Sequence, residues 1–283
     1  MERLKKRRYV LLVLLLLLLL GVGLATYPMI SSYYTARHQS QVSVQFQAAL
    51  EAMPQAEIQA DRAAAERYNR ELAAGTLLHY TTEDGTAYED ILDSAGTGMM
   101  GYVEIPVIDV QIPIYHYTTD ESLEKGAGHL FGSSLPVGGE STHAILSAHR
   151  GLPSAKLFTD LNLVEKGDVF YLHILGKTLA YEVDQIQTVL PEQTDSLAIT
   201  EGKDYVTLVT CTPYAVNTHR ILVRGHRTTV KAAKAVQKSE KKATGISNPT
   251  LPMLILCVVI GIVIAAVLVA AVNFVQNKKR RRK

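Results

Sequence analysis

Residues 205–226 read YVTLVTCTPYAVNTHRILVRGH. Two runs rich in apolar and β-branched residues, Tyr205–Thr210 and Arg220–His226, stand on either side of a Thr212-Pro213 turn signal. That is the pattern of two strands joined by a loop. Cys211 falls where the first run ends. A residue there is held by the strand behind it and opens to the surface in front, which suits a nucleophile. Arg220 opens the second run, and on an adjacent antiparallel strand it would lie beside the thiol.

The same texture extends back to Met99. Short runs rich in Val, Ile, Tyr and Leu recur at Met100–Ile105, Val110–Tyr115, His143–Ala148, Asp168–Ile174 and Thr178–Leu190. Pro106, Pro113, Gly138-Gly139, Gly151, Lys166-Gly167 and Gly176-Lys177 separate them. Short strands at this spacing predict a mostly-β domain, a barrel or a sandwich. The segments 154–161 and 192–202 read as short helices or long loops. His149 closes the run that begins at His143 and precedes a Gly-Leu-Pro turn, so a His at one strand end and a Cys at another can meet at one rim.

A thiol is only slightly ionised near neutral pH, and a base or cation beside it makes it a nucleophile. An imidazole can move the proton, and a guanidinium can stabilise the oxyanion that forms as a carbonyl turns tetrahedral. Each residue also has an ordinary structural reading. A cysteine after a strand is more often a small core residue than a nucleophile. His143 and His219 compete with His149, and Arg224 and Arg227 compete with Arg220. Spacing alone leaves these alternatives open.

The chain has 283 residues, enough for one good-sized domain plus membrane and linker segments. Tyr9–Ile30 is almost wholly apolar and Leu251–Val275 carries no charge, and each is long enough to span a bilayer as a helix. Arg3, Lys5, Lys6, Arg7 and Arg8 precede the first, and residues 278–283 are all Lys or Arg. Basic residues beside a span stay cytoplasmic, so both termini are expected inside and the middle outside. A cleaved signal peptide is the other reading of the first stretch, and it also exports the middle.

These clusters hold eleven of the 29 basic residues and one of the 27 acidic ones, leaving 18 basic against 26 acidic, a net charge of −8. Such a domain lacks the basic face that nucleic acid requires. Of the two cysteines, Cys257 lies in the second apolar stretch, so Cys211 has no disulfide partner in the exported part. No metal-ligand spacing, phosphate loop or dinucleotide fingerprint is present.

Residues 207–220, TLVTCTPYAVNTHR, resemble the active-site signature of the sortase family. Residues 141–153, STHAILSAHRGLP, resemble its histidine segment, and 101–108, GYVEIPVI, with 128–140, GHLFGSSLPVGGE, resemble its opening strands and loops. The similarity covers about Met99 to Arg227, with the motifs in the family's order. It implies an eight-stranded sortase-type β-barrel and thiol attack on the Thr–Gly bond of an LPXTG-type sorting signal. An amine then resolves the acyl-enzyme. By this resemblance Cys211 is the nucleophile, His149 the acid/base and Arg220 the oxyanion or substrate clamp. Thr210 helps position substrate, residues 191–204 form part of the sorting-signal groove, and no cofactor or metal is implied.

The expected order is an anchor at 1–30, a helical stalk and possible lid at 31–98, the catalytic barrel at 99–228, a basic linker at 229–250, a second transmembrane helix at 251–275 and a basic cytoplasmic tail at 276–283. Within 31–98, residues 42–71 read as helical with a break at Pro54. A long N-terminal helical region and a second span resemble the pilin-polymerising branch, class C, whose acceptor is a lysine amine of another pilin. The lid motif common in that branch contains Asp-Pro, which occurs nowhere in this chain; Tyr80 and Tyr88 are the aromatic residues that stand in that region. Other readings are anchoring of surface proteins to a peptidoglycan precursor, hydrolysis with water as acceptor, and a non-enzymatic envelope scaffold.

Overall fold

The computed structural model describes residues 2–234 apart from 78, 94, 95 and 97. The expected second membrane helix, the cytoplasmic tail and most of the basic linker lie outside the described residues. The described residues from 32 onward form one compact unit, and those up to 31 belong to another.

The chain begins with α1 (Glu2–Ala52), and a stretch within Leu16–Ala52 is long and apolar enough to cross a membrane by length and composition. It overlaps the expected anchor. Pro54 separates α1 from α2 (Gln55–Ala74), as the missing amide of proline dictates, and Gly75 ends α2 in the left-handed conformation (φ 69°).

Eight strands follow: β1 (Met99–Ile105), β2 (Val110–Tyr115), then the short helix α3 (Asp120–Lys125), β3 (Ala127–His129), β4 (Thr142–Ser147), β5 (Val169–Ile174), β6 (Lys177–Val189), β7 (Asp204–Thr212) and β8 (His219–Thr228). They close into a barrel in the order β1-β2-β3-β4-β7-β8-β6-β5, with β1 pairing β5. Seven of these strands coincide with the apolar runs. The eighth, β3, is the three-residue segment Ala-Gly-His and has no strand-forming pattern of its own; parallel pairing with β2 and antiparallel pairing with β4 make it a strand.

Alternation along each strand fills the barrel. Val103, Ile105, Ile112, Ile114, Leu172, Val206, Leu208 and Val223 are buried in one cluster. Gly225 in β8 leaves room for Phe170, since a Cβ there would lie 2.6 Å from its ring.

The helical region expected as a stalk shares the barrel's core. Tyr68 and Ala65 of α2 and Phe46 and Leu50 of α1 are buried in that same cluster. Asn69, 3% exposed, makes a two-way clamp on Leu135, its Nδ2 donating to the carbonyl at 2.9 Å and its Oδ1 accepting from the amide at 2.7 Å. The segment after α2 is held in the same way: Tyr88 is 1% exposed, its hydroxyl lies 2.7 Å from His129 Nδ1, and its ring meets Tyr68, His116, Tyr117 and Phe131. Tyr80 packs its ring on Phe131 at 4.1 Å between centroids.

Candidate active site

One feature of the topology brings the predicted residues together. β4 and β7 pair in parallel, with Ile145 opposite Thr207 and Ser147 opposite Val209. Their C-terminal ends therefore reach the same rim of the barrel. Cys211 lies near the end of β7, and His149 lies two residues beyond β4. The pairing continues past the strand: the Ala148 amide donates to the Val209 carbonyl at 3.1 Å. Extending that register sets His149 abreast of Cys211. β8 runs antiparallel to β7, and Arg220 near its start is the register partner of Cys211.

Side-chain alternation then assigns a face. Val206, Leu208 and Thr210 fall on the interior side of β7, whereas Thr207, Val209 and Cys211 fall on the outer side. Arg220 shares the outer face of β8 with Leu222, and the same alternation carries His149 onto the outer face with Ile145 and Ser147. All three predicted residues are half-buried.

Beside them the outer face is apolar. Ile145, Val209 and Leu222 are buried outside the barrel in a cluster completed by Val189 and Leu197. Leu197 belongs to the β6–β7 connection, in a single 3-10 turn at Asp195–Leu197. His143 pins that connection down, with Nε2 2.7 Å from Thr207 Oγ1 and Nδ1 3.0 Å from the Ala198 carbonyl. An apolar strip roofed at one side by a loop thus leads to the thiol. Alternation across β4, β7 and β8 contains this strip, but as a set of separate strand residues, so the sequence reading missed it.

Three of the rival residues, His143, Arg224 and Arg227, have other partners. His143 is 1% exposed, and burial lowers its pKa, so it is a neutral hydrogen-bonding link between sheet and loop. Arg224 pairs with Asp184 through two bonds of 2.9 and 3.0 Å and lies over the Tyr205 ring. Arg227 pairs with Asp204 at 3.4 Å. Asp204 also accepts from Gly139 and Tyr181, and burial raises its pKa. Among the described residues Arg220 forms no ion pair; its Nη1 donates to the carbonyls of Asn217 and His219 at 3.1 and 3.0 Å. Thr210 is 1% exposed, and its hydroxyl donates to the Ala148 carbonyl at 2.7 Å. It faces inward, and its reach is to the backbone just before His149.

A thiol, an imidazole and an unpaired guanidinium at one rim, beside an apolar strip, are the equipment of a cysteine acyl-transfer centre. Comparison with known proteins agrees. The sortase domain matches residues 103–228. The chain is 44% identical to sortase C of Clostridium perfringens, solved with the C-terminal cell wall sorting motif, over 68% of this chain and 100% of that one, with a TM-score of 0.61. It is 45% identical to sortase C1 of Streptococcus agalactiae over 67% of this chain and 98% of that one, with a TM-score of 0.63. Among curated relatives, sortase A of Streptococcus agalactiae is 35% identical over 44% of this chain and 51% of its own length, so the chain spans about half of that protein. The chain belongs to the sortase family of cysteine transpeptidases, and these solved structural relatives are class C enzymes.

Proposed function

We propose that this chain is a membrane-anchored class C sortase that joins pilin subunits. Cys211 gives its thiol proton to His149 and attacks the Thr carbonyl of an LPXTG-type signal, Arg220 stabilises the oxyanion, and His149 passes that proton to the departing Gly amine. The Thr–Gly bond breaks and a thioester forms. A lysine amine of another pilin then attacks the thioester, giving up a proton to His149. An isopeptide bond forms, and His149 returns the proton to the departing sulfur, restoring the thiol. The register pairing of Cys211 with Arg220, with the His149 segment on the other side of β7, is the observation that carries this reading.

Thr210 acts through the His149 segment, holding the Ala148 carbonyl, and the apolar strip with its β6–β7 roof receives the sorting signal. The domain order follows the same reading, with an N-terminal anchor, a helical region and lid segment, the catalytic barrel, the linker and a second span at 251–275. Both termini are cytoplasmic and the barrel lies outside. The class C likeness of the solved relatives supports a pilin lysine as acceptor.

The full chain in detergent micelles, given an LPXTG-type peptide and a pilin, tests the proposal by mass spectrometry. An acyl adduct on Cys211 that is resolved onto a pilin lysine is expected. Resolution only onto a peptidoglycan-like amine, or onto water, selects the anchoring or the hydrolytic reaction instead. A folded protein that forms no adduct sinks the catalytic reading.

A further inference from the structure

The segment that carries His149 stays joined to β7 beyond the end of β4. On one side, the Ala148 amide donates to Val209 and the Thr210 hydroxyl donates to the Ala148 carbonyl at 2.7 Å. On the other side the link is between side chains. Arg150, next after His149, donates through Nη1 to Oγ1 of Thr212, next after Cys211, at 2.9 Å. The two reactive residues are therefore bracketed, 148 tied to 210 and 150 tied to 212. Just beyond, the Tyr214 ring lies against Gly151 (φ 81°), where a Cβ would come 2.8 Å from Cε2.

Arg150 spends its other nitrogens on the loop that follows it. Its Nε donates to the Thr159 carbonyl at 3.1 Å and its Nη2 to Asn162 Oδ1 at 2.8 Å. A planar guanidinium fork fixes three directions at once, which a lysine cannot do. Its partners are all neutral oxygens, and among the described residues it forms no ion pair. Past Ala148 the segment leaves the β4–β7 ladder; the His149 carbonyl accepts from the Phe158 amide at 3.2 Å, and the tie from this segment back to β7 beyond Cys211 is the Arg150–Thr212 side-chain bond. Acyl transfer demands positions good to a fraction of an ångström, and an error of about 1 Å costs roughly 100-fold.

We infer that Arg150 is a positioning residue for acyl transfer, acting through Thr212 to hold the His149 segment against Cys211. The inference rests on Cys211 and His149 being the reacting pair. Arg150 stays clear of the substrate in this role; it sets the spacing of the groups that touch it.

The test uses the full chain in detergent micelles with an LPXTG-type peptide, with rates divided by the amount of Cys211 that iodoacetamide can label. Thr212→Val keeps the shape and removes the bond. It is expected to lower kcat roughly 10- to 100-fold, with KM within about twofold and the melting temperature little changed. Thr212→Ser is expected to restore kcat, whereas Arg150→Lys is not. The double variant Arg150→Ala, Thr212→Val is expected to be no slower than Arg150→Ala alone, because both break one link. A Thr212→Val enzyme with the kcat of the parent overturns the inference, as do losses that multiply in the double variant. An adduct mapped to a residue other than Cys211 in the parent protein overturns the underlying reading, and it is seen before any variant is compared.

Discussion

Cys211 and Arg220 are direct partners across the β7–β8 pair, on the outer face of the barrel. The guanidinium is held by two carbonyls, those of Asn217 and His219, and forms no ion pair among the described residues. Arg220→Ala is therefore expected to cut kcat by about 10²- to 10³-fold, the usual loss for an oxyanion donor. The melting temperature should change little, because no buried ion pair is broken. Arg220→Lys retains the charge without the fork and should fall between. Steady-state kinetics with a sorting-signal peptide, beside a thermal melt, checks both halves; a large drop in stability would mark Arg220 as structural.

His143 should affect substrate binding more than chemistry. It ties the outer face, at Thr207, to the β6–β7 connection, at Ala198, next to Leu197 in the apolar strip. In His143→Ala the loop loses its pin and the buried Thr207 hydroxyl loses its partner, a cost of about 1–3 kcal/mol. KM is expected to rise several-fold while kcat falls less. A loss confined to kcat would place His143 in the acyl-transfer step and contradict its assignment as a loop anchor.

The strands were legible because each has a local signature, whereas the candidate residues were singled out by position together with the family resemblance. Apolar runs ended by turn residues mark the strands, and Cys211, His149 and Arg220 sit at run ends. Spacing left His143 and Arg224 as rivals, since it does not reveal partners; in three dimensions they bond Thr207 and Asp184. β3 was illegible because its three residues owe their conformation to neighbours far along the chain. The role of α2 was hidden for a related reason. Its sequence is polar, Ala-rich and Gln/Glu-rich, the composition of a solvent-exposed stalk, yet Tyr68 and Asn69 reach the barrel core. A single polar residue satisfying two backbone groups 66 positions away leaves no periodic trace.

That clamp gives a stability prediction. Asn69→Ala leaves the buried Leu135 amide without its partner, at a cost of about 1–3 kcal/mol, while the carbonyl keeps its bond from the Val137 amide at 2.8 Å. A loss of about 1–3 kcal/mol is expected in urea unfolding of residues 32–243. Asn69→Asp preserves the acceptor for the Leu135 amide but turns a second acceptor toward its carbonyl, so it should rescue little. If Asn69→Ala unfolds at the parent's midpoint, α2 is not stabilised by this contact and the stalk description is the better one.

The last prediction concerns acid. His129 is fully buried, and desolvation lowers its pKa from 6.5 to about 4. Its partners agree with a neutral ring: the Ser134 carbonyl at 2.8 Å requires a proton on Nε2, which leaves Nδ1 to accept from the Tyr88 hydroxyl. Ser133 Oγ lies 3.1 Å from Nε2, the Tyr88 ring stacks on the imidazole, and nearby His116 further disfavours its charge. In the unfolded chain the ring takes a proton below about pH 6.5, while in the folded chain it resists until about pH 4. The unfolded state therefore binds more protons within that window, and stability falls as pH falls. The contribution is complete above pH 6.5 and gone below about pH 4, and over the window it amounts to about 3 kcal/mol. Asp204, with its raised pKa, acts in the opposite sense, so a single pH profile mixes the two. The difference between parent and His129→Gln isolates the histidine. The variant is expected to be less stable at pH 7.5, where it loses a fitted ring, and to converge on the parent as pH falls toward 4. Parallel profiles for the two proteins across that range would mean that His129 is not held neutral in the folded state.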